Sequence, residues 1–196
     1  MRNMESVLSA IIPRERIGVL LGHNGEVKKK IEKSQKVRLK VDSENGTVEI
    51  TSTLNNNDPT RLICARDITM AIGRGFSPEK AFALRNEETV LEILDLRETF
   101  SRNENDIRRI KGRVIGREGK IRRMLEEFTN ANISIYGHTI SIIGDYEAFF
   151  LAREAILMLI EGKQHSTVYK FLMRKKREMK KREKTELWHK PEEQIR

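Results

Sequence analysis

The chain has 196 residues, 38% of them hydrophobic and 34% charged, with a formal net charge of +9. This mixture excludes wholesale disorder and leaves room for two small domains or one medium one. The single cysteine, Cys64, excludes an intrachain disulfide framework and a cysteine-based metal site, and no run of about 18 apolar residues offers a transmembrane helix. The first residues carry no charged-then-apolar leader pattern, so the expected location is cytoplasmic. The positive charge is concentrated: residues 174–184 hold eight basic residues against Glu178 and Glu183, a net of +6. Polyanion binding by the rest of the chain therefore needs local patches.

In chain order, Val7 to Ile12 is the first expected strand. Glu26 to Ser34 follows a glycine-bounded turn as a helix. Val37 to Val41 and Thr47 to Ser52 form a hairpin around Asn45-Gly46. Asp58-Pro59 combines a cap with proline at the first helical position, starting a helix to about Ile72 that Gly73 and Gly75 end. Ser77-Pro78 starts a short helix carrying Ala81, Phe82 and Leu84, expected at a junction between domains. Thr89 to Asp95 is again a strand, and a polar, helix-compatible stretch leads to Ile115. A helix from Lys120 carries Ile121, Leu125 and Phe128 on one side. Ile133 and Ile135 mark a half-buried strand, Gly137-His138 a tight turn, and Thr139 to Ile143 the return strand. Asp145 caps a last helix with Ala148, Ala152, Ala155 and Leu159 on its apolar face.

This order is a duplication. Ile17 to Gly25 matches Lys111 to Gly119 at a constant offset of 94 residues, with three glycines coincident. Val27, Lys28, Lys29, Ile31 and Glu32 match Ile121, Arg122, Arg123, Leu125 and Glu126. Leu39 and Val41 match Ile133 and Ile135. After a turn shorter by two residues, Thr47, Val48 and Ile50 match Thr139, Ile140 and Ile142. Two copies are too few for a solenoid and point to two domains. Residues 1–86 are expected to form the first, with the junction helix, residues 87–163 the second, and residues 164–196 a basic helix or tail.

A lone glycine-x-x-glycine word between helices is usually a plain turn. Here it occurs at equivalent places in equivalent units, with apolar residues before it and basic residues after it. Glycine lets a sugar-phosphate backbone come close to the main chain, and the helix that follows presents free N–H groups and a favourable dipole. Lys28 and Lys29, or Lys120, Arg122 and Arg123, add positive charge there. Val19 and Leu20, or Val114 and Ile115, are expected to line a groove floor with Leu39 or Ile133.

These features resemble the KH family, type I, in both halves. The resemblance implies an α+β fold: two tandem βααββα domains, each with a three-stranded antiparallel sheet packed on helices. It also implies that Gly22, His23, Asn24 and Gly25, and Gly116, Arg117, Glu118 and Gly119, clamp single-stranded RNA. The first loop lacks permanent charge, so the second groove, ringed by Arg113, Arg117, Lys120, Arg122 and Arg123, is expected to be the stronger site. Residues 112–120, Ile140-Ser141-Ile142-Ile143-Gly144 and His165-Ser166-Thr167-Val168-Tyr169 are similar to the KH proteins that partner the Nob endonuclease in small-subunit ribosome assembly, in their compact archaeal form. That likeness implies binding near the 3′ end of small-subunit ribosomal RNA, and the expected protein is a non-enzymatic RNA-binding factor without a cofactor. It also implies a ribosome-processing endonuclease or a translation factor as protein partner. Three alternatives stay open on the residues: a KH adaptor in transcription or RNA decay, a protein-interaction scaffold with a nonspecific RNA-binding tail, and, last, a nuclease.

In the tail, Lys175 to Lys184 reads as an arm that tracks phosphates, and residues 190–196 as a frayed end. Tyr169, Phe171 and Trp188 can stack on bases or dock onto the second domain. His23, His138, His165 and His189 lack ligand spacing. Cys64 falls in a helix as a core residue, and no nucleophile–base pair or P-loop is present.

Overall fold

The computed structural model describes residues 7–53, 58–100 and 103–188, leaving aside the side chains of 183 and 186–188. The first half runs β1 (Val7–Ile11), α1 (Arg14–Leu21), α2 (Glu26–Gln35), β2 (Val37–Val41), β3 (Thr47–Ser52), α3 (Pro59–Gly73) and α4 (Pro78–Ala81), followed by a 3-10 turn at Phe82–Arg85. The second runs β4 (Thr89–Asp95), α5 (Leu96–Thr99), α6 (Glu104–Ile115), α7 (Lys120–Thr129), β5 (Asn132–Tyr136), β6 (Thr139–Asp145) and α8 (Tyr146–Ile160), and the chain continues into α9 (His165–Trp188). The short α5 carries no signal that the sequence reading used.

Each half forms one antiparallel three-stranded sheet, ordered β1-β3-β2 and β4-β6-β5. Leu39 pairs with Ile50 and Val41 with Val48. Their counterparts repeat the register, Ile133 with Ile142 and Ile135 with Ile140. Period-two alternation puts these side chains on the sheet face that meets the helices. Leu39, Val48 and Ile50 are buried with Ile31, Leu62 and Ile68; Ile133, Ile140 and Ile142 are buried with Leu125, Ala152 and Ile156. The caps act as their residue types require. Asp58 accepts from the Thr60 N–H at the start of α3, and Asp145 accepts from the Ala148 N–H at 2.8 Å at the start of α8.

The outer faces of the two sheets differ. In the first sheet Arg38, Lys40 and Glu49 are exposed. In the second, the same face holds Ser134, Tyr136, Ser141 and Ile143, and it packs on the first half. Ile143 is buried in the cluster of Phe76, Ala81 and Leu84. The Ser134 hydroxyl donates to the Arg74 carbonyl at 2.8 Å. The Tyr136 hydroxyl donates to the Glu15 carboxylate, and the Arg16 guanidinium lies 5.8 Å from the Tyr136 ring centroid. Burial first, and Glu15 second, push the Tyr136 phenol above its usual pKa. The hydroxyl therefore stays protonated and keeps donating across the physiological range.

The tail reading resolves toward docking. Val168, Phe171 and Leu172 of α9 are buried in the second core, and Tyr169 meets Phe128 edge-on at 5.3 Å. Val168, Phe171 and Leu172 are thus occupied by packing, whereas Tyr169 touches Phe128 and keeps 44% of its surface exposed. Residues 189–196, which include His189 and the expected frayed end, lie outside the described residues, as does the Trp188 side chain. Among the described residues, no helix is long and apolar enough to cross a membrane. Because Leu172 fills the second core, Leu172→Ala should cost about 2–5 kcal/mol in urea denaturation, the range for a buried leucine. A loss under about 0.5 kcal/mol, typical of surface sites, would contradict the docking.

Candidate nucleic-acid interface

Both glycine loops adopt the same backbone. Gly22 has φ 71° and ψ 179°, Asn24 φ 51° and Gly25 φ 76°; Gly116 has φ 71° and ψ 176°, Glu118 φ 52° and Gly119 φ 74°. Asn24 and Glu118 hold a left-handed conformation that side chains other than glycine rarely take. A cation five residues on braces each one. Lys29 Nζ donates to the Asn24 carbonyl at 3.3 Å, and Arg123 Nη2 to the Glu118 carbonyl at 2.9 Å. Lys29 and Arg123 therefore hold the loop as well as charging it.

The two glycines of a loop are needed for different reasons. A Cβ on Gly116 would sit 2.4 Å from Ile121 Cγ1, and one on Gly22 would sit 2.5 Å from Val27 Cγ2. The first glycine thus lets the chain pass over the apolar residue that anchors the next helix. A Cβ on Gly119 would meet nothing within 4 Å, and one on Gly25 only Lys29 Cε at 3.8 Å. The last glycine faces open space at the head of α7 or α2, where an anion can reach the free backbone N–H groups.

The surrounding charges divide into engaged and free groups. Lys28 lies 3.9 Å from Glu32, and Arg122 lies 3.8 Å from Glu126. These two glutamates also fix the groove strand: Glu32 accepts from the Leu39 N–H at 2.8 Å, and Glu126 from the Ile133 N–H at 3.0 Å. Lys80, from the first half, adds an ion pair to Glu126 at 3.3 Å. Arg117 and Lys120 are exposed and have no ion-pair partner among the described residues. The first loop offers exposed His23 and Asn24, and its helix opens with Glu26 where the second opens with Lys120.

Several expected groove residues sit elsewhere. Arg113 donates to the Leu159 carbonyl at 3.0 Å and the Lys163 carbonyl at 2.7 Å, capping the end of α8. Leu20, Val114, Leu39 and Ile133 are sealed in the two cores at 0–2% exposure, so their side chains present no surface to a base. Leu20 and Val114 fall on the inner faces of α1 and α6, and Leu39 and Ile133 on the helix-facing side of their sheets. Val19 and Ile115 remain partly exposed beside their loops. Sequence reasoning missed the roles of Glu32 and Glu126 and of Val27 and Ile121, although their match between copies was a usable signal. Cys64 is half-buried on α3; burial pushes its thiol up, and it donates to the Leu84 carbonyl at 3.2 Å.

These contacts order the two glycines by cost. Gly116→Ala combines a glycine-only backbone with a clash and should destabilise by about 2–4 kcal/mol. Gly119→Ala should cost about 1 kcal/mol, the left-handed penalty alone. Thermal and urea unfolding of the two variants measure the difference, and equal losses would contradict this assignment of roles.

Comparison with known proteins agrees with this geometry. Residues 90–177 match the eukaryotic-type KH domain (KH-domain type I), and residues 7–61 match the KH domain. A KH domain-containing protein of Methanocaldococcus jannaschii is 49% identical over 179 residues, covering 91% of this chain and 78% of that protein. The pre-rRNA-processing protein PNO1 of Debaryomyces hansenii is 28% identical, over 68% of this chain and 53% of its own length. Among solved structures, Dim2p from Pyrococcus horikoshii superposes with a TM-score of 0.78 at 45% identity, covering 86% of this chain and 99% of that one. An a/eIF2alpha–aDim2p–rRNA complex from the same organism matches with a TM-score of 0.83 at 43% identity, covering 90% and 97%. With its two glycine loops and two sheets, the chain belongs to the KH family, as a tandem type I member of the group that includes Dim2p and PNO1.

Proposed function

We propose that this protein binds single-stranded small-subunit ribosomal RNA near its 3′ end and acts, without catalysis, in ribosome assembly in the cytoplasm. The observation that carries this reading is the doubled loop. Two copies of one backbone each open into a helix N-terminus beside exposed main chain. That arrangement accepts a sugar-phosphate backbone while leaving base edges free for reading. The names of the relatives support the same role, being a pre-rRNA-processing protein and a partner in an rRNA complex. That complex also supports a/eIF2alpha, a partner of the expected translation-factor class, as a binding protein of this chain.

The second loop is the main phosphate site in this reading, because Arg117 and Lys120 are uncommitted there. Glu26 opposes phosphate at the matching place in the first loop, which therefore contributes less. The exposed basic residues of α9 add affinity without sequence choice.

Fluorescence titration with the ribosomal 3′-end RNA tests the order. Gly119→Asp places charge and bulk at the open face and should weaken binding at least tenfold, with a smaller loss for Gly25→Asp. Unchanged affinity in folded Gly119→Asp protein would remove the second loop as the main site. Replacing Lys180, Lys181, Arg182 and Lys184 by serine should lower the slope of log affinity against log salt by up to about 3, at roughly 0.7 per phosphate contact on a single strand. Preference for the ribosomal end over scrambled RNA should persist; its loss would make the tail the reader.

A further inference from the structure

The two grooves differ at the glutamate that fixes their strand. In the first half, Glu32 accepts from the Leu39 N–H and faces one cation, Lys28 at 3.9 Å. In the second, Glu126 serves Ile133 in the same way but faces two cations. One is Arg122, a turn earlier on its own helix. The other is Lys80, which comes from α4 of the first half.

The three partners share the carboxylate unequally. Glu126 Oε1 accepts from the Ile133 N–H at 3.0 Å and from the Lys80 ammonium at 3.3 Å. Glu126 Oε2 stands 3.8 Å from Arg122 Nε, beyond hydrogen-bond reach. Arg122 Nε is buried without a hydrogen-bond partner, yet 43% of the side chain is exposed. Among the described residues the Arg122 guanidinium therefore has its donors uncommitted, in the first turn of α7. Its neighbour Arg123 is already engaged with the Glu118 carbonyl.

Coulomb attraction determines where that guanidinium points. The Glu126 side chain is only 19% exposed, so water screens its charge less than that of a surface carboxylate. Lys80 balances that charge from the far side. With Lys80 in place, Arg122 brings a net positive charge to the head of α7, where a phosphate meets the free N–H groups. Without Lys80, Glu126 is left to Arg122 alone. The two then close into a full ion pair, and the positive charge beside the loop is cancelled.

We propose that Lys80 is a positioning residue of the second RNA site: it neutralises Glu126 and so leaves Arg122 free to hold an RNA phosphate. The first half then sets the affinity of the second groove, apart from anything its own loop binds. This inference rests on the proposed RNA-binding function and adds a dependence of one half on the other.

Double-mutant cycles test it, read by fluorescence titration of the full chain with the ribosomal 3′-end RNA. Lys80→Ala should lower affinity about three- to tenfold, as a charge-assisted contact is weakened. Lys80→Arg keeps the charge and should restore binding. In two further backgrounds the same Lys80→Ala change should cost less than about twofold, the limit of ordinary additivity. One is Glu126→Gln, which keeps an oxygen for the Ile133 N–H and removes the charge. The other is Arg122→Ala, which removes the group being positioned. An equal Lys80→Ala loss in all three backgrounds would overturn the positioning role. It would make Lys80 a direct RNA contact if the urea midpoint holds, and a structural tie between the halves if the midpoint falls. Full affinity in Lys80→Ala, with the wild-type protein binding the RNA, would overturn the inference and leave the RNA function standing. No binding by the wild-type protein would overturn both.

Discussion

The architecture turns on a left-handed residue held between two helices. Asn24 and Glu118 stand at φ near 50°, flanked by glycines that alone permit the path. That turn lets α2 and α7 start immediately: the first N–H of each folds back on the loop, Glu26 to the His23 carbonyl and Lys120 to the Arg117 carbonyl, and the N–H groups that follow have no acceptor earlier in their own helix. The strain is distributed locally. Lys29 and Arg123 brace the carbonyls of the strained residues, and Val27 and Ile121 pack beneath the first glycines. An RNA backbone would therefore meet main chain that is fixed before the ligand arrives, with the exposed Arg117 and Lys120 side chains beside it in the second loop.

Behind each loop, one glutamate links helix to strand. Glu32 and Glu126 accept from the N–H of Leu39 and Ile133, and so fix the distance between the loop helix and the groove strand. The same carboxylates restrain Lys28 and Arg122. In the second half, Lys80 ties this point to the first half. The covered outer face of the second sheet, with Ile143, Ser134 and Tyr136 against the first half, makes the two loops parts of one packed body. A strand that spans both loops then gains effective concentration without the cost of ordering a linker.

The internal repeat made much of this legible. Residues that match between the two copies proved to be cross-strand partners, loop glycines and core positions, because a duplicated unit keeps what its fold requires. Asp58-Pro59 and Asp145 announced their helices through cap chemistry. What escaped lies in two classes. Burial of Leu20, Val114, Leu39 and Ile133 depends on which helix or sheet face meets the core, and a groove argument from adjacency alone could not supply it. Arg113 was read as a groove charge because its carbonyl partners, Leu159 and Lys163, are distant in sequence. The packing between halves lies where the copies differ: Tyr136 stands where the first copy has Asp42, and Ile143 where it has Thr51. A comparison of the differences, as well as the matches, would have marked that face as covered.

The central claim is that RNA is held by loop main chain, with the tail as an accessory. Amide chemical-shift mapping of the full chain during titration with the ribosomal 3′-end RNA tests it most directly. The account predicts the largest shifts at residues 116–121, smaller shifts at 22–27, and the least at the Tyr146–Phe150 end of α8. Shifts confined to residues 174–184, with both loops silent, would contradict it.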